Sequence, residues 1–106
     1  MPMVKVSNGG SSAITTINAK VDTNGSTTQT VNVPSGTAGI MLIVTYNVSS
    51  TVNSITGCTY TYLGKGAQGQ LGCSEILVYS FKATSSSITV NHTTQGTYQS
   101  GLILLY

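Results

Sequence analysis

Arginine and tryptophan are absent from this 106-residue chain, and charge of either sign is scarce: four Lys, two acidic residues and a single His. Charged residues make up 6% of the sequence, where a soluble domain ordinarily carries about a quarter. The lysines, Lys5, Lys20, Lys65 and Lys82, are spread along the chain. Nucleic-acid binders gather positive charge, with Arg prominent, onto one face, so this pattern argues against nucleic acid as a partner. Long apolar runs are missing too: a stretch such as Ile40 to Val44 is far shorter than a helical membrane span. No apolar signal-peptide core follows Met1. A soluble chain synthesised in a host cytoplasm, with no membrane partner, is expected.

Catalytic chemistry needs polar groups held together with a reason for their pKa values to shift. The inventory is one His, one Asp and one Glu: His92, Asp22 and Glu75. Asp22 precedes Thr23-Asn24-Gly25 and reads as a turn cap. Glu75 reads as a solvent-facing edge charge, and His92, in step with Ile88 and Val90, as a structural residue. No catalytic residue and no cofactor are expected, so the chain reads as a non-enzyme. Two Cys and one distant His fall short of the four ligands of a structural zinc site, which leaves no metal expectation.

What the chain has in abundance is hydroxyl. Ser and Thr make up 31 of the 106 residues, and branched Thr fits a pleated surface well. A hydrophobic fraction of 40% and a mean hydropathy of +0.19 are too high for a disordered hydroxyl-rich tract. The apolar residues fall in strand-length runs, and no window shows sustained helical periodicity. Eight strands are predicted over 3–6, 13–21, 28–33, 39–47, 54–63, 73–82, 87–92 and 99–106, separated by Gly, Asn, Ser and Pro clusters. Asn24-Gly25 supplies the positive φ of a tight turn, and Pro34 ends a strand because it has no N–H to donate. The expectation is all-β: an antiparallel β-sandwich, jelly-roll-like, of about eight strands. Length allows one domain, here residues 13–106, preceded by an N-terminal arm or edge strand over 1–12.

Three runs are apolar on both faces: Ile40 to Val44, Ile76 to Tyr79 and Leu102 to Tyr106. Antiparallel strands with one wet face should alternate, so these strands call for a second cover. Loops, the arm or a neighbouring subunit could each supply it. The arm begins apolar, Met1-Pro2-Met3-Val4-Lys5-Val6, and then turns through Asn8-Gly9-Gly10, as a contact segment reaching to a neighbour would.

Cys58 and Cys73 lie symmetrically about Lys65-Gly66. A symmetric hairpin over this turn would set them opposite one another within disulfide reach; a one-residue bulge would break that register. A cytoplasmic origin favours thiols, and an oxidising medium would favour the bond. Six Tyr offer a second candidate, a glycan-stacking surface of Tyr60, Tyr62 and Tyr98. Tyr60 and Tyr62, two apart on one strand, share a face, where they could equally fill one side of a sandwich.

Val33-Pro34-Ser35-Gly36-Thr37 leads into the apolar strand Met41 to Val44. Ile55 to Tyr60 then precedes a Gly-rich hairpin, and Glu75 to Tyr79, Ile88 to Val90 and a closing apolar strand complete the order. This layout resembles β-sandwich modules of tailed-phage virion proteins. The resemblance implies a head-decoration or fibre domain without catalytic residues. A single short domain with its own Met, lacking repeats or a coiled-coil stem, suits a capsid decoration (cement) protein. Such a protein would sit on the virion surface as a homotrimer, bind the major capsid protein and reinforce the head. The alternative is a tail-fibre or receptor-contact module that binds a host-surface glycan or protein.

Overall fold

The computed structural model describes residues 6–7, 11–22, 26–45, 52–66, 75–92 and 100–106. Among the described residues, strands β1 (Val6–Ser7) and β2 (Ser11–Ser12) pair with each other. The remaining strands are β3 (Ile17–Asp22), β4 (Thr28–Asn32), β5 (Ala38–Thr45), β6 (Val52–Thr56), β7 (Cys58–Lys65), β8 (Glu75–Ala83), β9 (Ser87–His92) and β10 (Ser100–Leu105). They form two fully antiparallel sheets: five strands in the order β3-β10-β5-β8-β7, and three in the order β4-β9-β6. The two sheets pack face to face, giving an all-β sandwich-like architecture with eight strands in its two layers.

Alternation builds the core. On β4 and just beyond it, Gln29, Val31 and Val33 point inward while Thr28, Thr30 and Asn32 face water. Ile88, Val90 and His92 do the same on β9. Opposite them the wide sheet contributes Met41 and Ile43 from β5, Tyr79, Phe81 and Ala83 from β8, and Leu102 and Leu104 from β10, all buried. Fully removing one such aliphatic side chain from water stabilises by about 1.5–3 kcal/mol, so this interlayer contact is the principal stabilising feature.

The expected strand over 54–63 is in fact two strands in two different sheets. Strand-forming residues continue on both sides of Gly57, which is why sequence pattern joins them, although the alternation slips phase there, from Ile55 to Cys58, Tyr60 and Tyr62. The backbone breaks there: Gly57 has φ +89°, and β6 ends in the narrow sheet as β7 begins in the wide one. A Cβ at Gly57 would collide with the carbonyl of Ser87. Glycine is required at this corner on both counts. A second positive φ, +88° at Gly36, follows from a turn in which the Thr37 amide donates to Pro34 O (3.1 Å). That is the type II pattern, with glycine in third place.

The strand expected over 13–21 forms only from Ile17, and residues 13–16 are not in a strand. The Thr15 and Thr16 amides both donate to Tyr106 O instead, at 3.0 and 2.7 Å. The hairpin register also differs from expectation. Cys58 lies opposite Ala83, and a bulge between Tyr62 and Gly64 shifts the pairing to Lys65↔Leu77. The connection between β7 and β8 is therefore centred well beyond Lys65-Gly66.

Gly57→Ala should cost about 1–3 kcal/mol from the backbone conformation alone, and more from the collision with Ser87. Gly36→Ala has a similar φ but open space around the added carbon, so it should cost less. Urea unfolding of the two variants, read by circular dichroism, checks the order; equal midpoints would contradict the corner as described.

Candidate functional site

Directly paired residues of an antiparallel sheet share a face, so the register sorts the side chains of the five-stranded sheet. Its inner face meets the narrow sheet. Its outer face carries three cross-strand rows over β3, β10, β5 and β8. The first is Ile17, Leu105, Ile40 and Ser80; the second is Ala19, Ile103, Leu42 and Val78. Val21, Gly101, Val44 and Ile76 form the third. No charged residue lies in these rows, and Ser80 is their one polar member. The β5, β8 and β10 side chains here are half-buried, whereas Ile17 and Val21 on the β3 edge are 74% and 58% exposed. Four strands about 4.8 Å apart and six residues at about 3.4 Å each give a face of roughly 400 Å². That equals the largest apolar patch of a typical monomer, which is often a binding surface.

A second apolar feature sits at the opposite edge. Tyr60 pairs with Phe81 and Tyr62 with Tyr79, so both Tyr rings point to the inner side. The narrow sheet, three strands set against five, does not reach them: Tyr60 is 48% and Tyr62 51% exposed, with Leu63 at the bulge 56%. Both rings stand edge-on to Tyr79, with centroids 5.8 and 5.3 Å away. Burial first, then the charges that Tyr62 and Tyr60 would carry when ionised, push the Tyr79 phenol above its ordinary value. Beside this ladder lies an open depression of about 230 Å³ lined by Thr59, Tyr60, Thr61, Ser80, Phe81 and Lys82. It is smaller than the roughly 300–1,000 Å³ of a small-molecule pocket.

Polar chemistry collects at one end of the sandwich. Asp22, Ser100, Thr45 and Glu75 occupy one register row of the wide sheet, and Gln29 and His92 come from the narrow sheet. The Gln29 amide oxygen can only accept, so His92 Nε2 donates to it at 2.6 Å. Gln29 Nε2 donates to Ser100 Oγ at 2.9 Å, and Ser100 Oγ donates to Ser26 O at 3.2 Å. Glu75 is buried, 5% exposed, and pairs with Lys65 at 3.5 Å. This corrects its expected place as a solvent-facing edge charge: Glu75 is buried on the inner face with Thr45 and Ser100. Thr45 Oγ1 is buried with no hydrogen-bond partner among the described residues. No group of three His, Cys, Asp or Glu side chains suited to a metal is found among the described residues.

Of the residues singled out from sequence, Cys58 is half-buried with a free thiol, and burial pushes that thiol up from its ordinary pKa. Ala83 occupies the cross-strand position expected for Cys73, because the hairpin connection is longer than the symmetric turn assumed; Cys73 itself lies outside the described residues. Tyr60 and Tyr62 share a face as expected, and Tyr98 lies outside the described residues. So do Met1, Pro2, Met3, Val4 and Lys5 of the arm, while Val6 pairs with Ser12. The Gln29–His92–Ser100 network was missed. Its signal was present in the alternation that sets Gln29 in line with Val31 and Val33. No protein-family model matches the chain, and neither a curated protein nor a solved structure is significantly similar to it.

Replacing Gln29 by Leu strips His92 Nε2 of its acceptor in a buried setting and should cost about 1–3 kcal/mol, read as a lower urea midpoint. An unchanged midpoint would show that the network contributes nothing. In a Cys73→Ser background, Cys58 should react with a maleimide more slowly at pH 7 than the urea-unfolded chain. Its rate should climb with pH and level off only above the ordinary thiol range, because a raised pKa leaves less thiolate at neutrality. Equal rates folded and unfolded would count against that burial.

Proposed function

We propose that this protein is a structural, non-catalytic module that assembles as a homotrimer on the outer surface of a bacteriophage head, binds the major capsid protein and reinforces the shell. The observation that carries the assembly is the outer face of the five-stranded sheet, whose three rows over β3, β10, β5 and β8 are uncharged, with Lys82 beyond them beside Ala38. Burial contributes about 25 cal/mol per Å², so copies of such a face associate without ion pairs, in keeping with a chain that has few charges. Closed cyclic symmetry is the usual arrangement of identical subunits, and three copies match the three-fold positions of a shell. The phage-head assignment rests on the resemblance in strand order and motifs described above. In this reading Met1 to Val6 reach the capsid and the hydroxyl-rich surface faces water.

A jelly-roll path is part of the same proposal. A jelly roll follows from folding one long two-stranded ribbon, pairing first strand with last and so inward. The pairs β3–β10, β4–β9 and β5–β8 are three of the four such pairs in an eight-strand ribbon. The fourth, β6 with β7, is replaced by the corner at Gly57. A second reading, a receptor-contact module, is favoured by the exposed Tyr60 and Tyr62 pair, since aromatic faces stack on sugars.

Sedimentation should give a particle three times the 10.9 kDa chain. Leu42→Lys, at the centre of the outer face, should reduce it to one chain with an unchanged β-type circular dichroism spectrum. Removing residues 1–7 should leave the trimer intact and abolish co-sedimentation with phage heads from the host that carries the gene. A wild-type chain that sediments as a monomer at high concentration refutes the assembly, and a glycan-array signal lost in Tyr60→Ser/Tyr62→Ser would select the receptor-contact reading.

A further inference from the structure

Gln29, Ser100 and His92 meet inside the polar end of the sandwich, where they are 1%, 2% and 2% exposed. Gln29 stands on β4, where alternation with Val31 and Val33 gives it a core position. A buried amide there costs free energy that an aliphatic side chain would not, and each polar group so placed requires an explanation. Its two ends are held differently. Nε2 lies 2.9 Å from Ser100 Oγ, a hydroxyl of the opposite sheet, and also donates to Ser26 O at 3.4 Å. Oε1 accepts from His92 Nε2 at 2.6 Å. We propose that this constellation is self-reactive. Ser100 Oγ displaces the amide nitrogen of Gln29, and the two side chains are joined by an ester that links β4 of the narrow sheet to β10 of the wide one.

The step balances within the chain. An Oγ–Cδ bond forms, the Cδ–Nε2 bond breaks, and the proton that Oγ loses is the one Nε2 gains as it departs as ammonia. Ser100 Oγ already touches Nε2, the atom next to Cδ. The terminal torsion of a Gln side chain is broad, so a turn of the amide presents Cδ to the hydroxyl. Negative charge develops on Oε1 as the tetrahedral intermediate forms, and the His92 N–H is aimed at that atom. Thr45 and then Glu75 follow Ser100 in its register row, both buried on the inner face. Thr45 Oγ1 has no hydrogen-bond partner among the described residues. Beyond it the Glu75 carboxylate supplies a base that holds the proton between its loss from oxygen and its transfer to nitrogen. Burial keeps water from competing as the nucleophile and from cleaving the ester afterwards. Ammonia takes up a proton in neutral water and is diluted away, which drives the exchange of amide for ester. The reaction runs once per chain, consumes no substrate and needs no second copy. The bond closes a separation of 71 residues and restricts the unfolded chain as a disulfide of that span does.

Mass spectrometry of the purified chain tests the bond. Trypsin cuts after Lys20, Lys65 and Lys82, which places Gln29 in the peptide 21–65 and Ser100 in the peptide 83–106. Folded wild-type protein should yield these two peptides as one species, lighter than their sum by one ammonia. Mild alkali, which hydrolyses esters and spares amides, should separate them and leave a carboxylate at position 29. The Ser100→Ala chain lacks the nucleophile and should give the two peptides apart, with a lower urea midpoint than the wild type. Fragmentation of the linked species should place the bond at Gln29 and Ser100, a result that stands even if Ser100→Ala fails to fold; a link at any other pair overturns the proposal. Two separate peptides of unaltered mass from the folded wild type, even after prolonged incubation, also overturn it and leave the network as ordinary hydrogen bonds. So does a loss of ammonia without a link between the peptides, or one that persists in Ser100→Ala, since ring closure at an Asn-Gly pair such as Asn24-Gly25 gives the same change in mass.

Discussion

Two sheets of unequal width share one buried interface, and the rest of the molecule follows from that mismatch. Met41, Ile43, Leu102 and Leu104 pack against Val31, Ile88 and Val90 where three strands lie over five. At β4 the cover is tight enough for Asn18 Nδ2 to donate to Asn32 O at 2.7 Å across the layers. By β7 the narrow sheet has run out, and side chains that alternation aims inward emerge into water. Tyr60 and Tyr62 are thus core-facing by register and surface residues by exposure. A wider second sheet would have buried them and removed the aromatic edge.

The near absence of charge acts through position as well as number. The two acids and the single His lie at the polar end of the sandwich, and the apolar rows of the outer face are left free of ions. Electrostatic steering is weak in such a surface, and salt should affect its associations little. Shape and apolar area therefore carry whatever specificity the module has. The buried polar cluster at the end works differently: Gln29, His92 and Ser100 satisfy one another across the layers, and such bonds hold their partners to a particular geometry.

Much of this architecture was legible in the residues because period-two alternation reports local backbone and local facing. The strands around Val31, Ile43, Tyr79, Val90 and Leu104 were all visible, as were the three strands apolar on both sides. What stayed hidden depends on which strands meet. At Gly57 the alternation slips phase, from Ile55 to Cys58, Tyr60 and Tyr62, but strand-forming residues on both sides hide the change of sheet that this slip marks. The Cys58 and Cys73 expectation assumed a symmetric turn, whereas the register placed Ala83 opposite Cys58. Glu75 looked like an edge charge until it proved to be buried on the inner face beside Lys65.

Strand order also has a temporal side. β10 lies in the interior of the wide sheet, between β3 and β5, although it is the last strand along the chain. Residues such as Ile17 have no sheet neighbour until Leu105 has been made. At 5–20 residues per second that interval is roughly 4–18 s on a ribosome. For the later part of it, from Thr45 to Leu105, β5 keeps one edge open. A nascent chain in this state offers an unpaired apolar strand to any neighbour, an opening that the arrival of β10 closes.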